Sequence, residues 1–205
     1  MFEDSNLFGV NTSNNPSTIN SFKDLLKSLE SFAISTYCEE LVYDVVDEQT
    51  MMESLVYIWQ QNSKRFNKYI PSDLKEFFLS KFTKSEQVYY RGLHSLNNGK
   101  LDVNNFDKVE FASCTDSKDI AASFAVGWRS CFLDRGEECY VYEVTGDLAL
   151  KNVNEYRDMG EEEVIVYNPV YSKVPLFKVL ECNYKGVERL PNLGDMKIEE
   201  INTST

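Results

Sequence analysis

The sequence is poor in the residues that build metal sites. It has one histidine among 205 residues, and none of its five cysteines forms a Cys-x-x-Cys pair. A structural zinc site needs four such ligands at close spacing, so the sequence predicts no metal. An odd number of scattered cysteines is also a poor disulfide framework, and free thiols in a reducing cytosol are expected. The cysteines are Cys38, Cys114, Cys131, Cys139 and Cys182.

Positive charge and long apolar runs are scarce as well. The 33 acidic residues outnumber the 21 basic ones, which gives a net charge of −12. A protein that holds nucleic acid by its phosphates needs a basic surface, so the composition disfavours nonspecific DNA or RNA binding. No apolar stretch approaches the roughly 20 residues of a membrane helix. The N-terminal sequence MFED lacks the segments of a signal peptide. We therefore expect a cytoplasmic protein without a membrane partner.

The first part of the chain reads as an arm followed by helices. Residues 1–20 are rich in Asn, Ser and Thr, and we predict a mobile N-terminal arm. Residues 21–84 predict three helices that belong to the main domain. The first is expected to start at Ser21 and the second at Thr50, each followed by an acidic residue three positions later. The third should follow the Pro-Ser-Asp sequence at 71–73.

The second part of the chain changes to short β-prone runs. Residues 85–185 predict a β-rich core, with one helix that starts near Asp116, and residues 186–205 predict a C-terminal tail. Helices followed by strands in a chain of this length favour a single α+β domain. The predicted strands cover residues 87–91, 109–113, 139–144, 164–167 and 176–184.

Two segments in this core place polar side chains at strand ends. Residues 89–93 (YYRGL) carry Arg91, and a guanidinium holds phosphate by two parallel hydrogen bonds. Residues 111–115 (FASCT) end in the hydroxyls of Ser113 and Thr115. Each segment alone also fits an ordinary strand end, with a surface arginine in the first and a helix cap in the second.

A third segment brings carboxylates to the start of a strand. Residues 161–166 (EEEVIV) lead into a β-branched run. Alternate residues of a strand face the same side, so Glu161 and Glu163 should point together and Glu162 away. Taken alone, such a run also fits a solvated sheet edge. Cys114 suggests a competing cysteine nucleophile, but the sequence offers no local base to activate it.

The order of the three segments resembles the Arg–Ser–Glu signature of mono-ADP-ribosyltransferases, which transfer ADP-ribose from NAD and release nicotinamide. The resemblance covers about residues 85–185. It implies two packed antiparallel sheets around an NAD cleft, with N-terminal helices outside. In that family Arg91 and Gly92 would bind NAD, and Ser113 would hold the catalytic glutamate. Thr115 would keep a hydroxyl near NAD, and Phe124 would stack on nicotinamide.

The resemblance also divides the roles of the carboxylates. Glu163, directly before the apolar strand, takes the place of the catalytic glutamate that stabilises positive charge on ribose. Glu161 completes a Glu-x-Glu pair, which in the family accompanies arginine acceptors. Tyr156 lies in the preceding segment, which touches the acceptor in relatives.

The function implied is an NAD-dependent protein-arginine mono-ADP-ribosyltransferase, a glycosyltransferase with NAD as substrate and no metal. It is similar to the enzymes that T-even bacteriophages use to modify host proteins, although a bacterial toxin domain stays open. The implied partners are NAD and an intracellular acceptor protein. Nucleic acid is disfavoured by the charge, but RNA as acceptor stays open. The alternatives are an NAD glycohydrolase, with water as acceptor, and an inactive binding module of the same fold.

Overall fold

The first three helices form a layer on one side of the molecule. They are α1 (Pro16–Thr36), α2 (Glu48–Tyr69) and α3 (Ser72–Leu79). α1 begins at Pro16, because proline suits a first helical turn. Residues 16–20 of the predicted arm and Ser21 therefore belong to the helix, and residues 1–15 lie outside the described residues. The computed structural model describes residues 16–38, 44–95, 109–127, 131–156, 162–186 and 188–201.

The cap of α2 differs from the prediction at Thr50. The Asp47 carboxylate accepts a hydrogen bond from the Thr50 backbone N–H at 2.8 Å, and the Thr50 hydroxyl accepts one from the Asp47 N–H at 3.1 Å. This capping box starts the helix at Glu48, so Thr50 is its third residue rather than its cap. α3 begins at Ser72, directly after Pro71 and two residues before the predicted start.

The strands form one antiparallel sheet within the described residues. The strands are β1 (Thr83–Lys84), β2 (Tyr89–His94), β3 (Phe111–Thr115), β4 (Cys139–Thr145), β5 (Leu148–Leu150), β6 (Glu163–Tyr167), β7 (Val170–Tyr171), β8 (Phe177–Cys182) and β9 (Met196–Glu200). From edge to edge their order is β1-β5-β6-β3-β2-β4-β8-β9, and β7 pairs with β4 off this path. The predicted α+β class and the antiparallel pairing of the strands are confirmed.

The join between β2 and β3 divides this sheet into two halves. In the described chain the two strands pair only at Tyr90 and Thr115, whereas β2 and β4 pair along six positions. The two separate packed sheets that the resemblance implies are therefore not found in the described residues. The structure has a single connected sheet, in which β3 pairs with β6 at five positions and β2 with β4 at six.

A fourth helix covers the half of the sheet that contains β2 and β4. α4 runs from Lys118 to Val126, and its cap is Ser117, whose hydroxyl accepts from the Ile120 N–H at 3.4 Å. The predicted start near Asp116 is therefore close, but Asp116 is not the cap. The short helices α5 (Cys131–Asp134) and α6 (Val153–Tyr156) and a 3₁₀ turn (Leu193–Asp195) complete the fold.

Three buried clusters stabilise these layers. The first joins α1–α3 to the β3–β6 half of the sheet and centres on aromatic rings such as Phe66, Phe78 and Phe111. The second lies within the sheet and spans both halves, and the third packs α4 on β4 and β8. Among the described residues no helix is long and apolar enough to cross a membrane.

Candidate active site

A cavity of about 460 Å³ lies where β2 and β3 part. This volume is within the usual range for small-molecule sites, roughly 300–1,000 Å³. Its wall includes three of the residues singled out in the sequence: Arg91 from β2, Ser113 from β3 and Glu163 from β6. They come from segments far apart in the chain, and the sheet brings them to one opening.

The Glu163 carboxylate is held by three hydrogen-bond donors. The Ser113 hydroxyl donates to Oε1 at 2.6 Å, as the sequence predicted. The Trp59 indole N–H donates to the same oxygen at 3.3 Å, and the Gln60 amide donates to Oε2 at 3.1 Å. Three donors on two oxygens fix the direction of the carboxylate. The cavity therefore presents the Glu163 carboxylate at a defined place.

Sheet register explains why Ser113 and Glu163 meet. In the β3–β6 pair, Thr115 lies opposite Glu163 and Ser113 opposite Ile165. Residues directly opposite in an antiparallel pair share a face, and so do residues two apart on one strand. Ser113 and Glu163 are diagonal neighbours on that shared face, within reach of one short and one long side chain.

A break in α2 accompanies the contacts with Glu163. Asn62 has non-helical backbone angles (φ −154°, ψ 68°), two residues after Gln60. Beyond the break, the Asn67 amide donates to the Phe111 carbonyl at 3.1 Å and accepts from the Phe111 N–H at 2.8 Å. α2 is thus tied to β3 on one side of the break and to β6 on the other.

Arg91 lines the cavity and is oriented by a tyrosine. Its guanidinium donates to the Tyr171 hydroxyl at 3.0 Å, and Tyr171 is only 8% exposed. One hydrogen bond leaves other N–H groups of the guanidinium able to meet an anion, because arginine has five such donors. The arrangement suits an anionic group bound in the cavity beside β2.

Gly92 allows the backbone of α4 to approach β2 closely. A Cβ at this position would lie 1.9 Å from the carbonyl oxygen of Ala121 and 2.5 Å from the Ala125 nitrogen. α4 therefore packs backbone to backbone on β2. Gly92 also lines the cavity, as does Thr115, whose hydroxyl accepts from the Ser117 N–H at 3.1 Å.

Aromatic side chains form another part of the cavity wall. Phe124 lies outside the buried face of α4, is 43% exposed and lines the cavity. His94, given no role from the sequence, stacks on Phe132 with ring centroids 3.5 Å apart, and both line the cavity. An exposed ring at a cavity offers a flat surface on which another ring can stack.

Cys114 does not have the properties of a nucleophile. The side chain is 5% exposed, and burial raises the pKa of its thiol to about 12, an effect that the Arg91 charge only partly offsets. A thiol with such a pKa stays protonated near neutral pH, and the thiolate is the reactive form. The competing idea of a cysteine nucleophile therefore loses its support.

Of the two residues predicted to bind the acceptor protein, one lies outside the described residues and the other does not line the cavity. Glu161 lies outside the described residues. Tyr156 ends α6 and packs, partly buried, against the helical core, away from the cavity wall. Glu162, predicted to point away from the site, instead lines the cavity. β6 begins at Glu163, so strand alternation does not extend to Glu162.

Sequence reasoning missed three residues that orient the site. Trp59 belongs to the helical core and is 2% exposed, but its indole N–H reaches Glu163. A buried tryptophan needs a partner for its N–H, which was the available signal. Gln60 and Tyr171 gave no signal, since their partners lie 103 and 80 residues away.

The arrangement combines a fixed carboxylate, a guanidinium and an exposed aromatic ring around one opening. Such a set can bind an anionic ligand and stabilise positive charge that develops beside the carboxylate. A comparison of the chain with protein-family models, curated proteins and solved structures finds no match.

Proposed function

We propose that this protein is an NAD-dependent mono-ADP-ribosyltransferase that modifies arginine side chains. The main support is the hydrogen bond of 2.6 Å from Ser113 to Glu163 at a cavity that Arg91 also lines. These are the three positions of the Arg–Ser–Glu signature. The charges also suit the substrate, since NAD carries an anionic pyrophosphate and a cationic nicotinamide.

In the proposed complex, Arg91 binds the pyrophosphate through N–H groups that Tyr171 does not engage. Phe124 stacks on the nicotinamide ring, which is electron-poor and aromatic. Glu163 faces the ribose bonded to nicotinamide. The exposed side chain of Phe124 and the cavity volume of about 460 Å³ support this placement.

The proposed reaction starts with cleavage of the bond between ribose C1′ and nicotinamide nitrogen. The bonding electrons leave with nicotinamide, which departs neutral, and positive charge remains on the ribose. The Glu163 carboxylate stabilises this charge, and Ser113, Trp59 and Gln60 keep it in place. A guanidine nitrogen of the acceptor then bonds to C1′ and gives its proton to a carboxylate, for which Glu161 is the candidate.

The direct test is incubation of the purified protein with labelled NAD and a cell lysate. Free nicotinamide and label on protein are expected, and mass spectrometry should locate ADP-ribose on arginine. Nicotinamide without any labelled macromolecule would instead favour the glycohydrolase, and label on RNA would change the acceptor class. No turnover and no NAD binding would refute the proposal.

Arg91→Lys is expected to weaken NAD binding about tenfold or more, although the charge is kept. Lysine cannot form the two parallel hydrogen bonds of a guanidinium, and hydrogen bonds to charged groups contribute about 1.5–3 kcal/mol. Calorimetry with NAD measures the effect. Arg189→Lys is the matched control, because Arg189 forms its own forked pair with Asp195 in the C-terminal region. Equal affinities for the two variants would show that Arg91 does not bind NAD.

Glu161→Gln is expected to lose transfer to arginine but to keep much of the slow hydrolysis of NAD. The carboxylate that receives the acceptor proton is removed, whereas Glu163 remains at the bond that breaks. Both activities are measured on one preparation, with agmatine as acceptor and free nicotinamide as the common product.

Glu162→Gln is the comparison variant for this experiment, because Glu162 also lines the cavity. It should transfer normally. Loss of transfer in Glu162→Gln instead of Glu161→Gln would assign the acceptor carboxylate to Glu162. An equal loss of transfer and hydrolysis in Glu161→Gln would contradict the division of roles between the two glutamates.

A further inference from the structure

The end of β2 places the one histidine of the chain beside a buried carboxylate. The distance from His94 Nε2 to Glu137 Oε2 is 3.9 Å, which is too long for a hydrogen bond. The Glu137 side chain is 9% exposed, and its Oε2 atom accepts no hydrogen bond from the described residues. His94 lines the cavity. An unpaired buried oxygen therefore lies next to a cavity residue that can carry a donor proton.

The ring of His94 is held at the cavity wall by its neighbours. It stacks on Phe132 with ring centroids 3.5 Å apart, and Phe132 lies close to Gly127, where a Cβ would be 2.4 Å from that ring. The next residue, Ser95, is joined to Glu138 by two hydrogen bonds of 2.9 Å, one from each backbone N–H. These contacts keep the imidazole near Glu137.

In the free protein the surroundings of His94 disfavour its protonated form. Burial lowers the pKa of His94 below its ordinary value of 6.5, the Glu137 carboxylate opposes this effect, and the Arg135 guanidinium adds to it. Cys139 lies opposite His94 in the sheet, and burial raises the pKa of its thiol to about 12, so it carries no charge near neutral pH. The helix that carries Phe132 also carries Cys131 and Asp134. The other ionisable residues of the cavity wall are Tyr90, Arg91, Cys114, Glu162 and Glu163.

An anion bound in the cavity would reverse this balance. Arg91 and His94 are three residues apart on β2, so their side chains leave opposite faces of the strand, and both line the cavity at its edge. Negative charge close to an imidazole favours the imidazolium. A neutral imidazole has one N–H donor, whereas the imidazolium has two. Only the protonated ring can therefore donate to a ligand and to Glu137 at the same time.

We propose that His94 is a second anion-binding group of the cavity, which takes up a proton from solvent when a phosphate-bearing ligand binds beside Arg91. One ring nitrogen then donates to the ligand and the other to Glu137 Oε2. The inference rests on the proposed function for the identity of the ligand, since the pyrophosphate of NAD supplies the negative charge. The complex holds one more proton than the free protein, so binding should tighten as pH falls.

The first test is an NMR titration of His94, whose ring signals stand alone because the chain has no other histidine. Isotope-labelled protein without a histidine tag is titrated with acid, free and saturated with ADP-ribose, which carries the pyrophosphate but cannot release nicotinamide. The pKa of His94 should lie below 6.5 in the free protein. With ADP-ribose it should be about one unit higher or more, the usual effect of an adjacent opposite charge.

Sulfate is the second probe, with chloride at the same ionic strength as its control. An unchanged pKa of His94 in a protein saturated with ADP-ribose would overturn the inference and leave the proposed function standing. If ADP-ribose does not bind but sulfate raises that pKa, the anion site stands and the assignment of NAD fails. If neither anion binds, the inference is refuted.

Glu137→Gln tests the partner of His94. It should lower the pKa of His94 in the free protein further, because the Glu137 carboxylate raises it. Glu138→Gln is the matched control, since the Glu138 carboxylate accepts from Lys178 Nζ at 2.7 Å, and it should leave the pKa of His94 nearly unchanged. Equal shifts in the two variants would contradict the pairing of His94 with Glu137.

His94→Gln tests the effect on binding, because glutamine stays polar but does not titrate. Calorimetry with ADP-ribose between pH 7.5 and 5.5 should show the affinity of wild type rising, by up to about tenfold for each unit by which the ligand raises the pKa. The rise should be absent in His94→Gln. The same rise in both proteins would assign the proton to another group and overturn the proposal.

Discussion

Glu163→Gln is expected to reduce nicotinamide release from NAD by on the order of 100-fold or more, with the fold retained. The substitution keeps the size of the side chain and removes the carboxylate that stabilises the ribose cation in the proposed mechanism. Ser113 and Trp59 can still donate to the amide oxygen of the new side chain. Its N–H₂ group would face Gln60, which can turn its amide and accept. The side chain at position 163 therefore keeps its hydrogen bonds, and the melting temperature should change little.

The measurement is single-turnover release of nicotinamide at saturating NAD, together with a thermal melt of the same sample. Glu199→Gln on the exposed strand β9 is the control for a loss of one carboxylate charge. It should leave the rate unchanged. Near-normal turnover by a folded Glu163→Gln protein would falsify the assignment of Glu163 as the catalytic carboxylate.

Gly92→Ala should damage both stability and NAD binding. The new methyl group would lie 1.9 Å from the Ala121 carbonyl oxygen, a backbone atom that cannot rotate away. α4 must therefore move off β2, and it carries Phe124 at the cavity. We expect the free energy of unfolding to fall by about 3 kcal/mol or more, at the upper end of the range for substitutions that overpack a core. For a domain of this size the melting temperature should fall by about 6–12 °C.

Gly136→Ala is the control for the loss of a glycine. A Cβ there meets no atom within 4 Å, but the positive φ of 75° makes alanine unfavourable by roughly 1–2 kcal/mol. This variant should be mildly destabilised and bind NAD normally. If Gly92→Ala bound NAD as tightly as Gly136→Ala, the close packing of α4 on β2 would not control the shape of the cavity.

The sequence predicted the central strands well because they contain β-branched and aromatic residues and are long enough to show a pattern. β3, β4 and β6 overlap their predicted ranges, while β1 and β7 have two residues each and give no periodic signal. β9 lies in the predicted tail, and its MKIEE sequence is mostly exposed, so no apolar alternation marks it. The predicted start of α2 was wrong because Thr50 and Glu53 have the spacing of a capping box. The capping box in the structure is formed by Asp47 and Thr50.

The site was predictable only as far as its residues lie in recognisable local patterns. Ser113 lies in the middle of β3 rather than at its end, Glu163 begins β6, and the sheet joins the two side chains at 2.6 Å. The contacts of Trp59 and Gln60 with Glu163 depend on how a helix packs on a strand more than 100 residues away in the chain. Hydrophobic periodicity reports that a helix has a buried face, but not which polar atom at its edge meets which partner.

The single residue pair between β2 and β3 has a consequence for how the two halves of the sheet unfold. Backbone hydrogen bonds contribute little across that join. What couples the halves is the apolar cluster in the sheet, where Tyr89 and Tyr142 from one half pack with Ala112 and Val164 from the other. Cooperative unfolding of the two halves therefore depends on the packing of these apolar side chains rather than on the number of backbone hydrogen bonds between the strands. A small truncation such as Val164→Ala should weaken this coupling. Amide hydrogen exchange should then give different free energies of opening for the two halves.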